Sequence, residues 1–162
     1  MLTGFTRLIV NIIYLVPLKV RIFSARHAGE TIQAAGASKA ISLSEDQQVT
    51  RGYKWIVSKR AALILSNKRL ACGSWNIELS QIVEAKLIKL RSMLGTGLVL
   101  KVRTNQGKHY QFGLQYDQKW FDQKVLPMVV EDGKIMSSTS SKIFRLVVWV
   151  YITYLLFQLF SK

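Results

Sequence analysis

Cysteine, histidine, proline and acidic residues are all scarce in this chain, and each shortage excludes something. One cysteine in 162 residues cannot close an internal disulfide, and two histidines beside it are too few for a four-ligand zinc site. Paired carboxylates, a Gly-x-Ser-x-Gly elbow, metal-spaced clusters and a Walker loop are missing from the sequence. His27 and His109 stand alone, Gly95-Thr96-Gly97 reads as a turn, and Cys72 at a strand end reads as a small core residue. The expectation is a protein that is not an enzyme, with no catalytic residue, metal or cofactor. Nine acidic residues face 23 basic ones, a net charge of +14, while 49% of the chain is hydrophobic. Such a sequence is too apolar for a disordered polyelectrolyte, and its length suits one domain of roughly 100 to 150 residues with additions.

The longest apolar run lies near the C-terminus. Residues 143–160, IFRLVVWVYITYLLFQLF, carry a single charge, Arg145, in what would be the first helical turn. As a helix they are about 27 Å long, close to a hydrocarbon core of about 30 Å. A transmembrane helix is expected there, with Lys142 and Arg145 snorkelling to the headgroups and Trp149 at the interface. Residues 131–142, EDGKIMSSTSSK, read as a flexible linker. Basic residues dominate the long segment before the span, so a single pass through a plasma or other inner membrane with the body in the cytoplasm is expected.

Residues 1–23 form a second membrane candidate. On a helix, Thr3, Arg7, Asn11 and Tyr14 share one side, and Phe5, Leu8, Ile9, Ile12, Ile13 and Val16 share the other. That suits an amphipathic helix lying in the interface, or packing on a neighbour, with Arg7, Lys19 and Arg21 among the headgroups. A short tilted membrane segment and a secretory signal are the other readings; basic residues after the apolar run and the lack of an A-x-A site weigh against the signal.

The middle of the chain alternates as β structure does. Leu98, Leu100 and Val102 oppose Val99, Lys101 and Arg103, and after Asn105-Gln106-Gly107 the pattern returns through Tyr110, Phe112 and Leu114, which predicts a hairpin. Tyr53, Trp55 and Val57 alternate with Lys54, Ile56 and Ser58; an apolar run from Ala62 to Leu65 precedes a polar turn, and Trp75, Ile77 and Leu79 follow Gly73-Ser74. One helix is expected from Asp117 to Leu126, with Trp120, Phe121 and Val125 on one face.

Within this order, Ser66-Asn67-Lys68-Arg69-Leu70 followed by Trp75-Asn76-Ile77-Glu78-Leu79-Ser80-Gln81-Ile82 resembles the core signature of GRAM and bacterial pleckstrin-homology (PH)-like domains. Gly29-Glu30-Thr31-Ile32 and Gly36-Ala37-Ser38 are similar to that family's first strand. The resemblance covers residues 29–128. It implies a mainly β fold with α: a seven-stranded, bent β-sandwich or partly open barrel capped by a C-terminal helix, whose usual work is recognition of anionic lipid headgroups or of proteins.

The basic residues concentrate in groups that name candidate contacts: Lys54, Lys59 and Arg60; Lys68 and Arg69; Lys86, Lys89 and Arg91; Lys101 and Arg103. Near an anionic leaflet each contributes about 1 kcal/mol of attraction. Nucleic acid is the other polyanion, but Tyr110 and Phe112 share the expected core face and are not free to stack on bases. The expected function is recognition of an anionic membrane surface through basic strands. The alternative is an accessory or docking subunit of a larger membrane protein complex.

Overall fold

A computed structural model of the chain describes residues 2–43, 50–51, 58–92, 95–133, 136–137 and 151. The expected transmembrane segment, Tyr151 apart, lies outside the described residues, as do Lys54, Lys142, Arg145, Trp149 and the alternation at residues 52–57.

The N-terminal segment is two helices, α1 (Leu2–Ile13) and α2 (Val16–Arg26), rather than one. Pro17, in the first turn of α2, cannot donate to the carbonyl four residues back and crowds it, so the first helix has to stop. The break is taken up at Leu15, whose φ of 54° is left-handed, and the two axes differ by 58°. Among the described residues no single helix is long and apolar enough to cross a membrane; Arg7–Ile13 and Val16–Arg26 reach that length and apolarity only together.

The helices precede strands β1 (Ile32–Leu43), β2 (Thr50–Arg51), β3 (Lys59–Ser66), β4 (Arg69–Cys72), β5 (Trp75–Glu78), β6 (Ile82–Ser92), β7 (Gly95–Thr104) and β8 (His109–Gln115). A four-residue helix, α3 (Lys119–Asp122), then leads to β9 (Val129–Gly133) and β10 (Met136–Ser137). Eight strands form one open mixed sheet in the order β5-β4-β3-β1-β8-β7-β6-β9, and β10 pairs with β2. The fold is thus mainly β with a few helices. Antiparallel pairing joins every neighbour in the large sheet except β6 and β9, which run parallel. The expected hairpin is β7–β8, with Arg103 opposite His109 and Gly107 at φ +74° in its turn.

The inner face gathers Leu63, Leu65, Leu70, Leu87, Leu98, Leu100, Val102 and Phe112 into one core, all 2% exposed or less. Trp120 of α3 inserts into it, its indole nitrogen 3.9 Å from where a Cβ on Gly36 would sit. From Ala61 to Ser66, β3 is buried on both faces. Ala61, Leu63 and Leu65 enter this core, whereas Ala62 and Ile64 meet α1 and α2 with Val16, Phe23 and Ala37. Burial on two sides explains why this strand reads as a continuous apolar run.

Two boundaries differ from expectation. The helix expected from Asp117 to Leu126 spans only Lys119–Asp122, because the Gln123 side chain brackets Leu126. It accepts from the Leu126 N–H at 2.9 Å and donates to the Leu126 carbonyl at 2.8 Å, turning Leu126 into the core. Glu131, Asp132 and Gly133, read as the start of a linker, instead end β9; a Cβ on Gly133 would overlap Ile88, so this glycine serves close packing.

The Ser66–Leu70 turn is tied to Glu30. Ser66 Oγ donates to Glu30 Oε2 at 2.6 Å and accepts from the N–H groups of Lys68 and Arg69 at 3.2 and 3.0 Å. Arg69 holds Glu30 Oε1 through Nε and Nη2, both at 2.9 Å. Burial pushes the Glu30 carboxyl up, but the hydrogen bonds from Ser66 and Arg69 and the charges of Arg69 and His27 outweigh it and hold the group below its ordinary value. A carboxylate lowered in this way stabilises the fold above its unfolded value, and the contribution is lost as pH falls through the lowered one. Glu30→Gln is expected to cost about 2 kcal/mol at neutral pH. The gap from wild type should close below about pH 4, as checked by thermal unfolding of the full chain in mild detergent across pH; a gap that does not change with pH would contradict the assignment.

Candidate membrane-facing surface

From Arg7 onward, the residues of the N-terminal helix sort between the sheet and the exterior. At spacings of four and three, Arg7, Asn11 and Tyr14 form a stripe that meets the sheet. β8 pairs with β1 only from Ser38 onward, and at the opening the Ala37 N–H donates to Asn11 Oδ1 at 3.0 Å. Beside it Arg7 Nη1 lies 3.1 Å from Asp117 Oδ1. Tyr14 and Val10 pack against the cluster of Val16, Phe23, Ala37, Ala62 and Ile64.

From Arg7 onward the polar stripe therefore faces the protein, and Leu8, Ile9, Ile12 and Ile13 face away from it; Val16, grouped with them by helical spacing in the sequence, is instead buried against the sheet, because the break at Leu15 turns the chain before it. Leu8, Ile9, Ile12 and Ile13 are 41 to 68% exposed, and Leu15, Leu18 and Ile22 extend the surface across the bend onto α2 at 42 to 52%. Ordinary amphipathic helices of globular domains bury the opposite side. Full burial of one Leu or Ile contributes about 1.5–3 kcal/mol, so seven half-exposed side chains leave on the order of 5–10 kcal/mol of transfer free energy available to an apolar partner. Lys19, Arg21 and Arg26 are exposed on α2 around this surface.

Strand alternation divides the basic groups read from the sequence. Lys39 lies opposite Arg60, Lys86 opposite Lys101, and Arg103 opposite His109. All are on the sheet face that carries the helices, since Lys39 is two residues from Ala37 and Arg60 two from Ala62. Glu84 sits among them, 3.1 Å from both Lys86 Nζ and Arg103 Nε, and Glu131 is 3.9 Å from Lys86. Hydrogen bonds from Lys86 and Arg103, with their charges, hold the Glu84 carboxyl below its usual value. The cationic strip is thus partly neutralised from within.

The remaining candidates do not join it. Lys59, Lys89 and Arg91 fall on the opposite alternation. Lys59 Nζ stands 4.9 Å over the Trp75 ring and Lys89 Nζ 5.6 Å over Tyr116. Lys68 is exposed at its turn, whereas Arg69 is committed to Glu30. Arg7, expected among headgroups, pairs with Asp117. Lys39 stands alone in β1, so no sequence cluster marks it, and only strand register brings it beside Arg60. Helical spacing places Asn11 on the polar side of α1, but its role as acceptor depends on the gap between β1 and β8, which no local pattern announces.

Cys72 is 2% exposed, and burial pushes its thiol up to about 11, above the range of a reactive nucleophile. Among the described residues no cluster of three or more metal-ligating side chains occurs. Comparison with protein-family models, with curated proteins and with solved structures finds no match.

Asn11→Leu preserves side-chain bulk but leaves the Ala37 N–H without its acceptor, and is expected to cost about 1–3 kcal/mol. Chemical denaturation of the full chain in mild detergent measures this loss, and unchanged stability would show that α1 is not fastened to the sheet there.

Proposed function

We propose that the protein is a non-enzymatic, membrane-anchored module of the PH-like (GRAM-like) kind that lies against an anionic bilayer. One observation carries the reading: α1 turns Arg7 and Asn11 toward its own sheet and Leu8, Ile9, Ile12 and Ile13 outward. An outward apolar surface bordered by Lys19, Arg21 and Arg26 matches the depth profile of a leaflet, hydrocarbon inside and anionic headgroups around it. Lys39, Arg60, Lys101 and Arg103, on the sheet face that carries the helices, add attraction over a Debye length. The basic surface therefore acts as a support for insertion, and the apolar helix face is the principal contact.

The family reading draws support from topology. Without the two-residue β2 and the appended β9, seven antiparallel-paired strands run in the order β5-β4-β3-β1-β8-β7-β6, followed by a helix whose Trp120 enters the core. The helix is short, and the strands form one open sheet over the core. The segment at 143–160 supplies the anchor in this reading. A second reading, an accessory subunit of a larger membrane complex, is favoured by Val129 and Val130, 58 and 54% exposed on edge strand β9.

Because the sole native cysteine is buried, Ile12→Cys and Lys124→Cys can each be spin-labelled singly. In the full chain reconstituted into vesicles containing phosphatidylglycerol, the label at position 12 is expected to collide with dissolved oxygen more than with a water-soluble nickel chelate, and the label at 124 the reverse. Equal, water-like behaviour at both positions would refute insertion and favour a protein partner.

A further inference from the structure

Between α2 and the outer face of β3 and β4 runs a groove of about 330 Å³, within the range of ligand clefts, about 300–1,000 Å³. Its helical wall is a single stripe of Lys19, Ile22, Phe23 and Arg26. The opposite wall is low because Ala62, Ala71 and Gly73 offer little side chain, and Ile64 and Asn76 complete the lining on the strand side. His27 stacks on Phe23 with ring centroids 4.4 Å apart and bonds the Phe23 carbonyl through Nδ1 at 3.1 Å, which fixes the aromatic part of the wall.

Charge and access narrow the occupant. Among the described residues, Lys19, Arg26 and His27 line the groove and no acidic residue does. Ile22 both lines it and is 42% exposed on the outward apolar surface, so the groove opens on the side taken to meet the bilayer. A molecule entering from there has to be apolar along most of its length and anionic at one point.

We infer that this groove seats one anionic phospholipid, its phosphate between Lys19 and Arg26 and one acyl chain along Ile22, Phe23 and Ala62. The inference rests on the membrane reading above and adds a defined lipid site to it. The two cations supply the charge contact and the alanine-lined wall supplies the room. A headgroup without acyl chains lacks the second contact and is not expected to be retained.

Native mass spectrometry of the full chain tests it, after transfer from nanodiscs of phosphatidylcholine and phosphatidylglycerol into a delipidating detergent. One phosphatidylglycerol per chain is expected to survive. Ala71→Phe, which fills the groove, and Lys19→Gln/Arg26→Gln, which alters only exposed side chains, are each expected to reduce the retained fraction by about tenfold or more; the second variant decides if the first fails to fold. Excess glycerol phosphate should leave the lipid in place. Undiminished retention in the Lys19→Gln/Arg26→Gln variant, equal retention of phosphatidylcholine, displacement by glycerol phosphate, or no retained lipid would overturn the site. If the spin label at position 12 still reports hydrocarbon, only the groove assignment falls; a water-like label removes the membrane reading as well.

Discussion

The Ala37 N–H, at the place where β8 stops pairing with β1, sets the orientation of everything N-terminal to the sheet. A buried donor without a partner is costly, and Asn11 supplies the acceptor from a helix that is otherwise apolar along most of its length. With Asn11 fixed, helical spacing leaves no choice for the rest of α1. Arg7 must fall near Asp117, Tyr14 must reach the sheet, and Leu8, Ile9, Ile12 and Ile13 must point away. The exposed hydrophobic surface is therefore the consequence of satisfying polar groups underneath it. Pro17 extends the effect by bending the chain, so that α2 covers Ala62 and Ile64 with Val16 and Phe23 while adding Leu18 and Ile22 to the outside.

Much of the sheet was legible because its signals are local. Alternation marked the β7–β8 hairpin, Gly107 marked its turn, and the polar Ser66–Leu70 stretch marked the turn between β3 and β4. What the sequence obscured depends on contacts between distant segments. Arg69 reads as a surface cation until Glu30, 39 residues earlier, is brought to it. Gly133 reads as a flexible joint until β9 is laid against Ile88. The basic groups looked like patches because they are neighbours in sequence, yet adjacent residues in a strand face opposite ways, and Lys59 parts from Arg60 for that reason alone. The helix after β8 is shorter than its sequence suggests because the apolar residues continue past Asp122, where the Gln123 side chain already satisfies the backbone in a turn.

The outer surface combines two weak forces that are effective together. Exposed cations alone attract a leaflet in a salt-dependent way, and Glu84 and Glu131 already offset part of the strip formed by Lys86, Lys101 and Arg103. Apolar side chains alone insert without regard to lipid charge. Lys19 and Arg26 stand beside Ile22 and Phe23 on one helical stripe, which joins the two, and the proposed lipid site rests on that juxtaposition.

The reversed polarity of α1 is the central claim, and methyl NMR tests it most directly. In bicelles holding the full chain, a lipid carrying a nitroxide deep in its acyl chain is expected to broaden the methyl signals of Leu8, Ile9, Ile12, Ile13, Leu18 and Ile22 and to spare those of Val16 and Ile64, which are buried between helix and sheet. Broadening of Val16 and Ile64 alongside them, or none along α1, would contradict the account.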